Sequence, residues 1–240
     1  MRRLLIPSIV SAIVFVILCG LGFWQLERLY EKEALLQRID QSLKADPVAM
    51  PGEAEWSQLK PDEYTYRKVF VSGHFEHEHE AHIFGFIVID DKGTTSPGYF
   101  VLTPLALHNG GRVIVNRGFV PEVMKAQDQR KLGLIEGPMT IQGLMRVPER
   151  RGFFTPQDDL QKNIRFLRDP AVIASSFTLD RVAPFIIDAD ATAIPGRWPE
   201  GGHTVVSVPN NHLEYALTWF GLALVLIGVF TAFALKARKD

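Results

Sequence analysis

The sequence has little cysteine and almost no net charge. Its 240 residues include one cysteine, Cys19, and 27 acidic residues against 26 lysines and arginines, for a formal net charge of −1. A single cysteine excludes an internal disulfide, a CxxC redox centre and a cysteine-rich zinc site. A near-neutral chain also lacks the basic surface that nucleic-acid-binding proteins present. We therefore predict no nucleic-acid partner and no thiol-based metal or redox centre.

The sequence also lacks the short motifs of common enzyme classes. It contains no nucleophile elbow, phosphate-binding loop, dinucleotide fingerprint or HExxH zinc motif. Its serines, histidines and acidic residues show no spacing that assembles a catalytic triad. An enzyme activity therefore has no support in the sequence, and we predict a protein that is not an enzyme.

Two long apolar runs lie near the two ends of the chain. Residues 4–24 and 215–235 each form a stretch of 21 residues without a charge. A helix of this length is about 32 Å long, which is enough to cross the hydrocarbon core of a bilayer. The first run is longer than the apolar region of a signal peptide, and no cleavage site with small residues follows it. The residue before Cys19 is Leu18, which also argues against a lipoprotein anchor. We therefore predict two uncleaved transmembrane helices.

Basic residues flank both runs on the side of the chain ends. Arg2 and Arg3 precede the first run, and Lys236, Arg238 and Lys239 follow the second. Because positive charge collects in cytoplasmic segments, residues 1–3 and 236–240 are predicted to be cytoplasmic. Two spans with both ends on one side place the chain between them on the other side.

The segment between the spans changes its pattern twice. Residues 25–43 keep apolar positions between charges, which predicts an amphipathic helical continuation of the first span. Residues 44–208 then form the external domain, where short β-branched or aromatic runs alternate with turn residues. The predicted strands are 66–71, 82–89, 99–107, 112–120, 139–147, 184–188 and 203–208. A hairpin turn is predicted at 109–111, and a helix at Asp169 with Pro170 in its first position. The predicted fold class is a membrane α+β protein in which two transmembrane helices flank a mostly antiparallel, β-rich external domain.

The interfacial segment just before the second span, residues 209–214, is polar, and aromatic side chains follow it in the first turns of the span. On a helix, His212, Tyr215 and Trp219 lie on roughly one face. Tyr and Trp gather at membrane interfaces in any case, and Asn211 with Glu214 is a variant of the capping box. An imidazole at membrane depth, however, is usually functional. We predict an interfacial site that includes His212.

Four segments of the sequence resemble the surfeit locus protein family. They are Gly-Phe-Trp-Gln-Leu-Glu-Arg at 22–28, Pro-Gly-Tyr-Phe-Val-Leu-Thr-Pro-Leu at 97–105, Val-Ile-Val-Asn-Arg-Gly-Phe-Val-Pro at 113–121 and Asn-Asn-His-Leu-Glu-Tyr-Ala-Leu-Thr-Trp-Phe at 210–220. The resemblance implies an assembly factor of cytochrome c oxidase whose partners are oxidase subunits, the haem A synthesis machinery and membrane lipid. Since the first span begins at residue 4, with no room for a mitochondrial leader, we expect a bacterial inner-membrane protein with a periplasmic central domain.

The same resemblance implies that haem A is the cofactor, delivered to the catalytic subunit of the oxidase or retained for it. We predict that His212 is the axial ligand of the haem iron and that Tyr215 and Trp219 pack against the macrocycle. Trp24, at comparable depth on the first span, is predicted to form the opposite wall. Arg28 either contacts a haem propionate or anchors the helix at the interface.

Two other functions remain open from the sequence. The protein can be a cofactor-free scaffold that docks oxidase subunits, with His212 serving only as a cap and anchor. It can also be a periplasmic metal-binding protein, because His77 and His79 in the cluster of histidines at 74, 77, 79 and 82 share one face of a predicted strand. The alternative for these histidines is a solvated edge strand. Arg117 either packs on the domain or forms a salt bridge within it, or else it contacts a propionate or a partner subunit.

Overall fold

A computed structural model describes residues 2–90, 92–108, 110–203 and 210–237, with the side chains of Arg2 and Arg3 left out. The chain divides into two compact units. One contains Met1–Asp40 and Val206–Asp240, and the other is Gln41–Val205. The predicted strand at 203–208 lies outside the described residues apart from His203.

The helical unit is built from the first and last helices of the chain. Helix α1 (Arg2–Lys44) has 43 residues, and helix α4 (His212–Ala237) has 26. Both are long and apolar enough to cross a membrane, which fits a two-pass membrane protein. Helix α1 is about 65 Å long, roughly twice the thickness of a bilayer core. It therefore covers the apolar run and also the predicted continuation over 25–43 as one unbroken helix.

Small residues let α1 and α4 approach closely. Gly22, Ala216 and Ala223 are buried. The ring of Phe220 lies over Gly22, so that a Cβ atom at Gly22 would be 2.6 Å from the ring, and the ring centroids of Phe23 and Phe220 are 5.4 Å apart. Packing of small residues against a neighbouring helix is the usual basis of helix association in membranes.

The other unit is a β-barrel with short helices. Its strands are β1 (Val48–Ala49), β2 (Lys68–Phe75), β3 (Ala81–Val88), β4 (Thr95–Leu107), β5 (Arg112–Pro121), β6 (Met139–Arg146), β7 (Ile164–Arg165) and β8 (Val182–Ala189). Two short helices are α2 (Pro61–Tyr64) and α3 (Pro170–Phe177). Strands β2, β6, β8, β5 and β4 form a closed ring, because β2 pairs with both β6 and β4. The long strand β4 makes closure possible, since its first half pairs with β3 and its end pairs with β2.

The predicted β-rich domain is present and most of its pairings are antiparallel, but the sheet is mixed. Five of the eight strand pairings among the described residues are antiparallel, but β1–β2, β3–β7 and β5–β8 are parallel. The parallel pair β5–β8 lies in the ring itself. Helix α3 lies between these strands along the chain and serves as the crossover that a parallel pair requires.

Both faces of the central strands are covered. Along β5, Val113 and Val115 point into one apolar cluster, whereas Ile114 belongs to a second cluster together with Ile173 of α3. All side chains between the ends of β5 are therefore buried. The three consecutive β-branched residues at 113–115 located β5 in the sequence, although the same buried strand continues through the polar residues Asn116 and Arg117.

Local signals at several other elements are confirmed. The carboxylate of Asp169 accepts hydrogen bonds from the backbone N–H groups of Ala171 and Val172, and Pro170 is the first residue of α3. Strands β4 and β5 form the predicted hairpin, although Asn109 of its turn lies outside the described residues. Gly110 has a φ of +85°, which its lack of a side chain permits.

Candidate functional site

His212 is the first residue of helix α4 and contacts α1 directly. Its Nδ1 atom lies 2.7 Å from Oε1 of Gln25, which is itself 9% exposed. Gly22 and Gln25 are three residues apart and share the face of α1 that packs against α4. The two residues of this hydrogen bond are 187 positions apart in the sequence, so only the packing of the helices brings them together.

This contact determines which nitrogen of His212 carries a proton in the neutral ring. A carbonyl oxygen such as Oε1 only accepts hydrogen bonds, so Nδ1 must be the donor. The other nitrogen, Nε2, then has an unprotonated lone pair. A second group that holds one ring N–H in this way is the usual arrangement behind a metal-bound histidine. In this arrangement Nε2 is the nitrogen of His212 through which a metal could bind.

The two aromatic residues predicted beside His212 differ in their surroundings. Trp219 lies two turns along the same face of α4, and its Nε1 atom is buried with no acceptor among the described residues. Tyr215 lies on the flank of the helix with 56% of its surface exposed. The oxygen Oδ1 of Asn210, just before α4, is also buried without a donor in the described part of the chain. Trp219 thus has an unused N–H donor and Asn210 an unused acceptor, both within about two turns of the start of α4.

The helix packing does not support Trp24 as the wall opposite His212. Gly22 faces α4, and Trp24 is two residues further on, about 200° around the helix. Trp24 is 47% exposed, and its ring lies 5.9 Å from the guanidinium of Arg28. Arg28 also forms an exposed ion pair of 2.6 Å with Glu31. Trp24 and Arg28 therefore form a separate group on the side of α1 that points away from α4.

Close packing at Gly22 gives a testable prediction about this helix pair. Replacing Gly22 with leucine places atoms inside the ring of Phe220, and overpacking of this kind costs about 1–3 kcal/mol. We expect a lower midpoint of thermal unfolding for the detergent-solubilised protein. Gly20→Leu is the matched control, because a Cβ atom there meets nothing within 4 Å. Equal midpoints for the two variants would contradict the packing.

The histidine cluster of the β-rich unit is not the predicted pair on a strand. His77 and His79 lie in a 3-10 turn between β2 and β3. His77 uses both ring nitrogens, since Nε2 donates to the carbonyl of Ile135 at 2.9 Å and Nδ1 lies 3.4 Å from Arg117. The ring of His79 packs against Phe177. No group of three or more potential metal ligands occurs within the described residues. The metal-binding alternative therefore loses its geometric basis.

A buried ion pair lies beside this turn. Both oxygens of Glu80 accept hydrogen bonds from the guanidinium of Arg130, and Nε2 of His82 donates to the same carboxylate at 2.8 Å. Burial raises the pKa of Glu80, but the hydrogen bonds from His82 and Arg130 outweigh it, so the pKa lies below its ordinary value. Burial also lowers the pKa of His77, against the hydrogen bond to the carbonyl of Ile135. This site therefore holds a carboxylate and a neutral His77 near neutral pH.

Sequence patterns did not single out Gln25, Glu80 or Arg130. Gln25 stands inside the segment 22–28 that resembles the surfeit locus family, and its helical spacing from Gly22 was the available signal. Glu80 and Arg130 are 50 residues apart, and neither has a local pattern that distinguishes it from a surface charge. Their role depends on burial, which the sequence does not display.

Comparison with known proteins agrees with the sequence resemblance. The profile of the SURF1 family matches residues 12–224, a region that contains all four resembling segments. Surfeit locus protein 1 of Rattus norvegicus is 33% identical over 213 residues, which are 85% of this chain and 67% of the rat protein. The protein of the same name in Homo sapiens is 33% identical over 216 residues, covering 85% of this chain and 69% of its own. A SURF1-like protein of Monosiga brevicollis is 31% identical over 223 residues, which are 90% of this chain and 82% of the Monosiga protein. The chain belongs to the SURF1 family.

Proposed function

We propose that this protein is an assembly factor of cytochrome c oxidase that holds haem A at the mouth of its two apolar helices and passes it to the catalytic subunit. The oxidase pathway rests on the family resemblance. The site rests on one observation, the hydrogen bond from Nδ1 of His212 to Gln25, which leaves Nε2 available to iron.

The residues around His212 suit a haem group in three respects. Nε2 of His212 would supply a nitrogen ligand to the haem iron, and Trp219 offers an indole N–H with no acceptor in the described residues. Such a donor can bind an oxygen at the edge of a macrocycle. Tyr215, exposed on the flank, supplies an aromatic surface beside the same helix face. When bound, haem contributes an iron centre that accepts the imidazole nitrogen.

A transfer protein must also release its cargo. Protein ligation through a single histidine leaves the iron less completely held than in a cytochrome with two protein ligands. His212 is partly exposed at the start of its helix, so a receiving protein can reach the site. Arg28 lies with Trp24 on the side of α1 that points away from α4, so we assign it to anchoring the helix at the interface and not to a propionate contact.

The proposed location is a bacterial inner membrane, with both chain ends in the cytoplasm and the β-rich domain in the periplasm. Positive residues at both ends of the chain support this orientation. Protease added outside spheroplasts is expected to cut the β-rich domain and to leave a tag on the C-terminus intact. Loss of the tag with an uncut central domain would reverse the orientation.

A cofactor-free scaffold is the second candidate, and an exposed aromatic pair favours it. Phe153 and Phe154 are 96% and 92% exposed, with ring centroids 5.1 Å apart. The turn that presents them is held by a hydrogen bond from the N–H of Gly152 to Thr155. Exposed adjacent aromatic side chains are typical of surfaces that bind a partner. In this function the loop docks an oxidase subunit while other proteins insert the haem.

One purification distinguishes the two candidates. The protein is expressed together with the enzymes of haem A synthesis, purified in detergent and examined by visible absorption and by detection of co-purified oxidase subunits. We expect the protein purified from these cells to show the absorption spectrum of haem A. The protein purified from cells that lack the last step of haem A synthesis is expected to show no such spectrum. Co-purified oxidase subunits without any haem would overturn the transfer function and support the scaffold.

A further inference from the structure

A cavity in the β-rich unit combines apolar walls with a buried arginine. It has a volume of about 240 Å³ and is lined by Phe75, Arg117, Met139, Ile141 and Ile194, among others. Arg117 is 5% exposed and comes from β5, while Met139 and Ile141 come from β6. The cavity is therefore lined by side chains of the barrel strands, and two of them, Phe75 and Ile141, also belong to the apolar cluster that contains Val113 and Val115.

The guanidinium of Arg117 has neutral partners. One nitrogen donates to the carbonyl of Gly133, another lies 3.4 Å from Nδ1 of His77, and the group stacks on the ring of Phe75 at 4.6 Å. Within the residues that the structure describes, no carboxylate lies within ion-pair distance of Arg117. Of the two expectations for Arg117 inside the domain, packing is therefore observed and an ion pair is not, within the described residues.

The charges buried in this region do not balance. The carboxylate of Glu80 attracts Arg117 from a distance, but its oxygens are taken by Arg130 and His82. Two buried guanidinium groups therefore share one buried carboxylate. Burial lowers the pKa of Arg117 to about 10, with the charge of Arg130 contributing in the same direction. A buried cation without a matched anion is costly, and a bound anion would remove that cost.

We propose that the cavity binds a small carboxylate that carries an apolar group, with the carboxylate at Arg117 and the apolar group against Met139 and Ile194. Arginine binds carboxylates through parallel N–H donors, and desolvated contacts of this kind are strong. Drug-sized ligands occupy about 300–1,000 Å³, so a smaller cavity suits a group about the size of one amino-acid side chain. The carboxylate belongs either to a free acid or to the last residue of a polypeptide. This proposal does not depend on haem binding at His212.

One carboxylate of the protein also lines the cavity. Asp190 is exposed, and its Oδ1 atom accepts a hydrogen bond from the N–H of Thr192 at 3.0 Å. Its charge opposes a bound anion, but water screens an exposed group more than the buried guanidinium. We therefore expect Asp190→Asn to bind the carboxylate severalfold more tightly. Weaker binding by this variant would indicate a cationic ligand and overturn the proposal.

The test compares matched acids and amides on the full-length protein in a maltoside detergent. Titration calorimetry is performed with 4-methylpentanoate and 4-methylpentanamide, and with a tripeptide that ends in leucine as the free acid and as the amide. We expect each acid that binds to be about 10–100-fold tighter than its amide, since hydrogen bonds to a charged group are worth about 1.5–3 kcal/mol. Binding of the free acid alone identifies a small metabolite, and binding of the peptide acid as well identifies a chain terminus.

Two variants show whether the cavity is responsible. Arg117→Gln is expected to remove the preference for the acid. Ile194→Trp adds bulk to a half-buried residue of the cavity lining, so it is expected to abolish binding, while Ile194→Val serves as its control and retains it. Equal affinity for acid and amide in the wild type, or unchanged binding in Ile194→Trp, would overturn the proposal even if Arg117→Gln does not fold.

Discussion

Replacement of His212 by alanine is expected to abolish haem retention, while replacement of Gln25 by leucine weakens it about 10–100-fold. The first change removes the proposed axial ligand. The second leaves that ligand in place but removes the acceptor that holds Nδ1–H and orients the ring. Haem retained on the purified proteins is measured by visible absorption, and affinity by titration of the haem-free protein. A graded loss from Gln25→Leu to His212→Ala is therefore the expected pattern.

Two control variants make this result specific. Leu213→Ala changes an exposed neighbour on the same turn of α4 and is expected to retain haem. Gln25→Glu keeps an oxygen acceptor for Nδ1–H and is expected to retain haem as well. If the His212→Ala variant bound haem as tightly as the wild type, His212 would not be part of the haem site. If Gln25→Leu and Gln25→Glu lost haem affinity to the same extent, Gln25 would act through helix packing and not through its hydrogen bond to His212.

Replacement of Glu80 by glutamine is expected to destabilise the folded protein by about 3 kcal/mol or more. The change leaves the guanidinium of Arg130 buried without its counter-charge, and removing one partner of a buried ion pair typically costs about 3–5 kcal/mol. The free energy of unfolding is measured by denaturant titration of the solubilised protein. Glu63→Gln is the control, since it breaks an exposed pair with Lys60, worth at most about 1 kcal/mol.

The same pair predicts how stability depends on pH. The pKa of Glu80 is lower in the folded protein than in the unfolded chain, so folding is favoured by the charged form. This contribution is complete above the ordinary glutamate pKa of about 4.3 and is lost as the pH falls below it. The wild type is therefore expected to lose more stability than Glu80→Gln between about pH 5 and pH 3. If the stability of the two proteins depended on pH in the same way over this range, Glu80 would not be the group responsible.

Properties that are local in the chain were readable from the sequence. The two apolar runs are uninterrupted, and their length alone predicts helices that can cross a membrane. The cap at Asp169 and Pro170 acts within one helical turn, so it located α3 accurately. The doubly buried strand β5 was recognisable from its β-branched residues at 113–115, whereas the burial of Asn116 and Arg117 had no signal in the pattern. Family membership followed from four short segments, and the match over residues 12–224 confirmed it.

Only the tertiary structure decided which residues far apart in the chain are in contact. The barrel closes because β4 pairs with both β5 and β2, and the sheet is mixed because β8 returns parallel to β5 after α3. Gln25 becomes the partner of His212, and Glu80 becomes the partner of Arg130, through the packing of segments far apart in the chain. Periodicity reports which face of a segment is apolar, but not which segment that face meets. The apolar runs determined where the helices lie in the chain, and their packing determined which nitrogen of His212 is available for a ligand.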